Sequence, residues 1–254
     1  MKNSTLHQQT IELYAKQLRV PSFNRYEEVI RQMDKDQSFE DFLIELLKTE
    51  AASRMESSQK RKIKTAKFPY QKTFDELDLH RYDHVNESAF RELATCDFIG
   101  KRQNIVMIGN TGRGKTHLSI ALGINACMQG MNVRFCTAAN LSNELIEAME
   151  YKRILKFEKQ LAKTDLLIID EMSYLTFNRH QSELLFKVIA DRAEKQSVVV
   201  STNLKFSEWT TLFENETMVS ALVDRLTFRS HVLNMNGPSY RSEHANGTTK
   251  ELSE

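Results

Sequence analysis

The chain has 254 residues, enough for one large core or for a core domain with a small appendage. Lys and Arg total 35 against 34 Asp and Glu, a net charge of +1 that predicts neither strong nucleic-acid nor strong membrane affinity, so local charge must carry any such role. Three widely spaced cysteines (Cys96, Cys127, Cys136) make neither a disulfide framework nor a zinc spacing and point to a reducing cytoplasm, while the polar start holds no signal core and no run approaches the ~18 apolar residues of a membrane span.

Eight glycines and three prolines are few for this length, which favours long helices over an all-β fold. Residues 1 to about 64 read as helical. Ile11, Leu13, Tyr14 and Leu18 recur at helical spacing, and Pro21 ends that helix. Ser22 stands where it can cap a second helix carrying Phe23, Tyr26, Val29, Ile30 and Met33. Ser38 with Asp41 resembles a capping box for a third, with Phe39, Phe42, Leu43, Leu46 and Leu47 on one side. Between Arg54 and Lys72 stand seven basic residues (Arg54, Lys60, Arg61, Lys62, Lys64, Lys67, Lys72) and one acid, Glu56. Such a run is either a solvated face and linker or a phosphate-backbone contact; Lys60, Arg61, Lys62 and Lys64 are its candidate DNA-binding residues. Pro69 breaks the helix, residues 68–79 read as an extended linker, and residues 86–97 read as another helix. The expected organisation is an N-terminal helical domain over 1–65, a second domain over 66–242, and a polar, frayed tail over 243–254.

The stretch Ile105 to Thr116, IVMIGNTGRGKT, begins with four apolar residues that predict a short buried strand. Gly109 to Thr116 then fits the phosphate-binding pattern G-x-x-x-x-G-K-[ST], and an amphipathic helix follows from His117 to Met128. Gly109, Gly112 and Gly114 let the backbone turn tightly and aim its N–H groups at phosphate oxygens. The helix start adds a positive dipole end beneath the same anion. The expected nucleotide-binding residues are therefore Gly109, Asn110, Thr111, Gly112, Arg113, Gly114, Lys115, Thr116 and His117. Lys115 can reach the β- and γ-phosphates and Thr116 can ligate Mg²⁺, so ATP and Mg²⁺ are the expected cofactors.

Beyond the loop, helices alternate with apolar strands. The strands are expected over 132–137, 165–170, 197–203 and 231–235. The helices are expected over 139–149, 152–163, 181–194 and 216–228. This alternation predicts an α/β fold with a parallel sheet covered on both faces, whose ligands sit at the carboxyl ends of the strands. Asp170 and Glu171 end the strand DLLIID about 55 residues after the phosphate loop. Asp170 is the expected metal ligand and Glu171 the base that polarises the attacking water. Asn203 ends the strand SVVVSTN and can orient that water, although Asn equally suits a helix or turn cap. Candidate arginines for the transition-state charge are Arg225 and Arg229, read as four apart on one helix face, and Arg241 in the tail. An arginine supplied by a neighbouring subunit would make hydrolysis depend on assembly.

The segments GNTGRGKTHL, LLIIDEMSYL, VVVSTNLKFSEW, ALVDRLTFRSHVLNMNGPSYR and the upstream FPYQKTFDELD together resemble the IstB transposition helper ATPases. These are AAA+ proteins related to the DnaC-type helicase loaders, and the resemblance covers about residues 5 to 242. It implies an AAA+ ATPase core behind a small all-α N-terminal domain. It also implies sequence-nonspecific duplex-DNA binding, ATP-dependent homo-oligomer formation on DNA, and delivery of target DNA to a cognate transposase. By motif, Lys115 and Thr116 match Walker A, Asp170 and Glu171 match Walker B, and Asn203 matches sensor 1. Arg225 matches the arginine-finger position and Arg241 a late arginine of the family. Fewer than about 20 residues follow the last expected strand, so no C-terminal lid domain is expected. Other readings of the same loop are a replicative helicase loader, a small-molecule kinase, and a scaffold that ATP only locks.

Overall fold

The computed structural model describes residues 2–34, 36–77, 87–172, 177–213 and 215–236. The chain divides into two compact units, residues 1–61 and 62–254.

The first unit holds α1 (Lys2–Leu18), a 3₁₀ turn (Pro21–Arg25), α2 (Tyr26–Gln32) and most of α3 (Phe39–Ala66). α3 opens on the expected capping box. The Ser38 N–H donates to Asp41 Oδ2 at 2.9 Å, and the Asp41 N–H donates to Ser38 Oγ at 3.2 Å. The bond from the Ser38 N–H holds the Asp41 carboxyl below its ordinary range. Ser22 does not cap α2. Pro21 starts a 3₁₀ turn that encloses Ser22, and its buried N–H donates to Glu50 Oε2 at 3.0 Å. Glu50 also accepts from Arg54 Nε at 2.6 Å, and Arg54 reaches the Arg19 carbonyl. Arg54 is thereby an internal tie of this unit. The apolar stripe expected on α3 is largely solvent-facing: Leu46 is buried, whereas Phe39 is 91% exposed and Leu43 and Leu47 are about half exposed. On α1, Leu13, Tyr14 and Leu18 are exposed too, and among the residues whose burial is described Ala15 is the buried position. A unit of a few helices has no second layer to cover both flanks of each stripe.

The second unit is a five-stranded, wholly parallel sheet: β1 (Asn104–Ile108), β2 (Val133–Thr137), β3 (Leu166–Asp170), β4 (Ser197–Thr202) and β5 (Ser230–Asn234). The spatial order is β2-β3-β4-β1-β5. The helices are α4 (Glu87–Ala94), α5 (Asp97–Gly100), α6 (Lys115–Met128), α7 (Ala138–Glu150), α8 (Ile154–Leu161), α9 (Arg179–Lys195) and α10 (Glu216–Thr227). Alternate strand residues enter opposite cores. Ile105, Met107, Leu166, Ile168 and Val199 pack with Phe90, Leu93, Leu118 and Leu122. Val106, Leu167, Ile169, Val198 and Val200 pack with Leu141, Leu145, Leu185, Ile189, Leu222 and Leu226. Burial on both faces is why these strands read as continuous apolar runs. Each fully buried Val, Leu or Ile contributes about 1.5–3 kcal/mol, so the strand ends that carry the site rest on a stiff base. Between α3 and α4, Phe68 lies against Gly123 in the middle of α6, where a Cβ would come 2.6 Å from its ring. The same ring meets Phe135 edge-on at 5.9 Å.

α9 starts two residues earlier than expected because Asn178 and Gln181 form a capping box. α8 is shorter than expected at both ends. α1 begins at Lys2, eight residues before the expected start at Thr10, and the single helix expected over 86–97 is instead α4 followed by α5, while the strands and the other helices from β1 onward fall within about two residues of their expected bounds.

Candidate nucleotide site

Parallel pairing sets Ile108 beside Thr202 on one side and Asn234 on the other, so the carboxyl ends of β1, β4 and β5 lie together. The phosphate loop leaves β1 at this edge and enters α6. Gly112 (φ 79°) and Gly114 (φ 77°) adopt the left-handed backbone that side chains disfavour. Gly109 is needed for a different reason. A Cβ there would sit 2.5 Å from the carbonyl carbon and oxygen of Met235, so glycine permits the chain leaving β5 to pass.

Around that loop the side chains divide their work. Lys115 Nζ donates to the Gly109 and Asn110 carbonyls at 2.6 and 2.8 Å, which holds its charge across the loop. The buried Arg113 guanidinium donates to the Met235 and Asn236 carbonyls at 3.3 and 3.2 Å. These bonds turn the guanidinium toward the chain leaving β5. His117 Nε2 is 2.8 Å from the Thr73 carbonyl and ties the segment before α4 to the first turn of α6. Asn110 and Thr111 are exposed at the top of the loop.

The acids meet the loop directly. Thr116 Oγ1 donates to Asp170 Oδ2 at 2.8 Å, joining residues 54 apart in sequence. Asp170 is 2% exposed, and its other oxygen accepts from Ser201 Oγ. Ser201 Oγ accepts in turn from the Glu171 N–H at 3.1 Å. Thr202 Oγ1 donates to the Met172 carbonyl at 2.9 Å, while the Thr202 carbonyl accepts the Gly109 N–H at 3.1 Å. The last residues of β4 thus link the phosphate loop to the acid pair. Glu171 is exposed and has φ 56°, a conformation that costs a non-glycine residue about 1–2 kcal/mol. Asn203 directly follows Thr202 at the end of β4 and is half-buried. Ser201 was missed at the level of sequence. Its signal was a polar residue breaking an apolar strand, one step beyond the Ile169–Val200 pair and therefore beside Asp170. The hydroxyl of Thr116 and the carboxylate of Asp170 are hard oxygens that suit Mg²⁺, which completes its shell with phosphate and water oxygens.

The arginines stand elsewhere. Asn104, the first residue of β1, donates from Nδ2 to the Ala193 carbonyl at 3.2 Å and the Leu226 carbonyl at 3.4 Å. Arg225 and Glu194, next to those residues, pair at 2.9 Å, so they lie at the amino edge of the sheet. A five-residue strand rising ~3.3 Å per residue separates that edge from the phosphate loop, about 13 Å or more. Arg229 does not share a helix face with Arg225. α10 ends at Thr227, Arg229 takes φ 91°, and its carbonyl accepts the Asn104 N–H at 2.9 Å. Neither arginine reaches the phosphate loop of its own chain. Arg241 lies outside the described residues.

In the basic run, Lys60 pairs with Glu56, and Arg61 and Lys64 are exposed on α3. Lys62 Nζ donates to Asn132 Oδ1, just before β2, at 2.7 Å. All three cysteines are buried; burial pushes Cys96 and Cys136 up to about 12 and Cys127 up to about 11.

Residues 14–248 match the family of IstB-like ATP binding proteins. The ATP-binding protein named for insertion sequence IS5376 of Geobacillus stearothermophilus is 37% identical over 204 residues, covering 80% of this chain and 81% of that protein. The one named for insertion sequence IS21 of Pseudomonas aeruginosa is 33% identical over 207 residues, covering 82% of this chain and 78% of that protein. Among solved structures, AMPPCP-bound DnaA from Aquifex aeolicus aligns with a TM-score of 0.57 at 17% identity, over 74% of this chain and 57% of that one. That likeness concerns the fold, which is the AAA+ P-loop core. Among the described residues, no helix is long and apolar enough to cross a membrane. With its phosphate loop, its buried acid and a match across most of its length, the chain belongs to the family of IstB-like ATP-binding proteins.

Proposed function

We propose that the protein is an ATP-hydrolysing transposition helper. It binds duplex DNA with little sequence preference, forms a homo-oligomer there with ATP, delivers the DNA to a cognate transposase and stimulates that enzyme. It works in the cytoplasm. The observation that carries the proposal is the meeting of Thr116, Asp170 and Ser201 at the mouth of the phosphate loop, with Glu171 next in the chain. The insertion-sequence names of the relatives support the setting.

The loop N–H groups and the first turn of α6 bind the triphosphate. Lys115 exchanges its two carbonyl partners for β- and γ-phosphate oxygens. Mg²⁺, held by Thr116 and Asp170, would neutralise phosphate charge. Glu171 takes the proton of the attacking water, a role worth about 10²–10⁴ in rate. Asn203 orients that water. Arg225, out of reach of its own loop, serves the γ-phosphoryl group bound by a neighbouring subunit, with Arg229 and Arg241 as further candidates. An arginine in this role is worth about 10³–10⁵ in kcat, so turnover follows assembly. Lys60, Arg61, Lys62 and Lys64 supply phosphate-backbone contacts at the end of the N-terminal helical domain, which runs to about residue 65 before an ATPase domain over 66–242.

The test is binding of the purified protein to duplex and to single-stranded DNA, with and without Mg-ATP, read by particle mass as well as affinity. Large ATP-dependent assemblies on duplex DNA are expected, and Glu171→Gln should trap them while abolishing turnover. A preference for single strands would replace the helper with a helicase loader. Absence of DNA binding in every state would point to a small-molecule kinase.

A further inference from the structure

We infer that Ser201 is a positioning residue for both acids of the site, setting the carboxylate of Asp170 and the backbone of Glu171 at once. The inference rests on the proposed ATP hydrolysis and deepens it.

A serine hydroxyl has one proton to give and lone pairs to accept with. The Glu171 N–H can only donate, so at 3.1 Å Ser201 Oγ must accept there. Its own proton is then left for Asp170 Oδ1. Asp170 Oδ2 is taken by the Thr116 hydroxyl at 2.8 Å. Two hydroxyls from different elements therefore fix the carboxylate plane and leave Oδ2 as the oxygen beside Thr116. Ser201 is itself 2% exposed, so water does not compete freely for either bond. Its carbonyl also accepts the Met172 N–H at 2.9 Å, which brackets Glu171 between two bonds to one residue. Those bonds hold Glu171 at φ 56°, a backbone state it would otherwise leave. Asn203 stands two residues further on, just past the end of β4.

The test compares Ser201→Ala, Ser201→Thr and Ser201→Val in the full chain with duplex DNA. Thr keeps the hydroxyl, and Val has the same shape without it. The readouts are kcat and KM for ATP, Mn²⁺ affinity in the presence of ADP by electron paramagnetic resonance, and the melting curve. Removing the partner of a metal-holding carboxylate costs about 10–100-fold in metal affinity or activity. Ala and Val should lower kcat by that factor and weaken Mn²⁺ binding, with KM within about threefold of the parent. Thr should restore both. Equal kcat and Mn²⁺ affinity for Thr and Val would overturn the inference, as would parent-like values for a folded Ser201→Ala. Glu171→Gln is measured in parallel. If it keeps full turnover, Glu171 is not the base and the inference fails with that assignment; if the parent itself shows no turnover, the hydrolysis reading fails; if Glu171→Gln abolishes turnover while the hydroxyl proves irrelevant, only the role of Ser201 fails.

Discussion

Gly109→Ala isolates a constraint that lies in packing rather than in backbone conformation. The added methyl would stand 2.5 Å from the carbonyl carbon and oxygen of Met235 and 3.0 Å from the Asn236 nitrogen. Ordinary carbon contacts lie near 3.5–4.0 Å, so about 1 Å of movement is required. The obstructing atoms are backbone and cannot rotate away. They are also tied down: the Met235 N–H donates to the Ile108 carbonyl at 2.7 Å, and Arg113 grips the two following carbonyls. The loop side is pinned as well, by the Gly109 N–H on Thr202. Overpacking costs about 1–3 kcal/mol and a lost backbone hydrogen bond about 1 kcal/mol, giving about 2–4 kcal/mol in total. At roughly 2–4 °C per kcal/mol for a unit of this size, the melting temperature should fall by about 5–15 °C. Displacing the loop N–H groups by about 1 Å should also weaken ATP binding by tenfold or more. The assays are thermal denaturation and titration with a fluorescent ATP analogue. Gly100→Ala is the control, because a Cβ there meets nothing within 4 Å and should change stability little. A Gly109→Ala protein that melts and binds ATP like Gly100→Ala would refute the packing argument.

Further outcomes are expected for Arg225 and for the cysteines. Arg225→Ala should lower turnover about 10³-fold with little change in melting, because its pair with Glu194 is substantially exposed and worth roughly 0–1 kcal/mol. Mixing Arg225→Ala with Glu171→Gln should restore activity at interfaces that join an intact Glu171 to an intact Arg225, and a mixture no more active than its parts would remove the action between subunits. Burial holds the three thiols above their ordinary value of 9, at about 11 for Cys127 and about 12 for Cys96 and Cys136. Stability from burying neutral thiols is whole below pH 9 and is lost as pH rises toward 11–12, which urea melts across pH 8–11 should follow. At pH 8 none should react with iodoacetamide until the protein unfolds; a native cysteine alkylated at the unfolded rate would count against its burial.

Residues close in sequence made much of the candidate site legible without a fold. An apolar run, a glycine-spaced turn, a Lys-Thr pair and a helix are consecutive, so the phosphate loop is legible without any fold. Asp170 and Glu171 were legible for a similar reason, since a strand buried on both faces must be apolar until it reaches the edge where ligands sit. Tertiary structure decided what depends on distant partners. Sheet order brings Ser201 to Asp170 across 31 residues and Thr116 to Asp170 across 54. It also runs the chain after β5 past the loop, which makes Gly109 a packing requirement and captures Arg113 across 122 residues. Helix spacing put Arg225 and Arg229 on one face, yet α10 stops at Thr227 and both stand at the edge opposite the loop. Likewise, apolar spacing makes α3 legible as a helix but leaves its burial open, because spacing fixes which residues share a face and only the packed elements determine whether anything covers it.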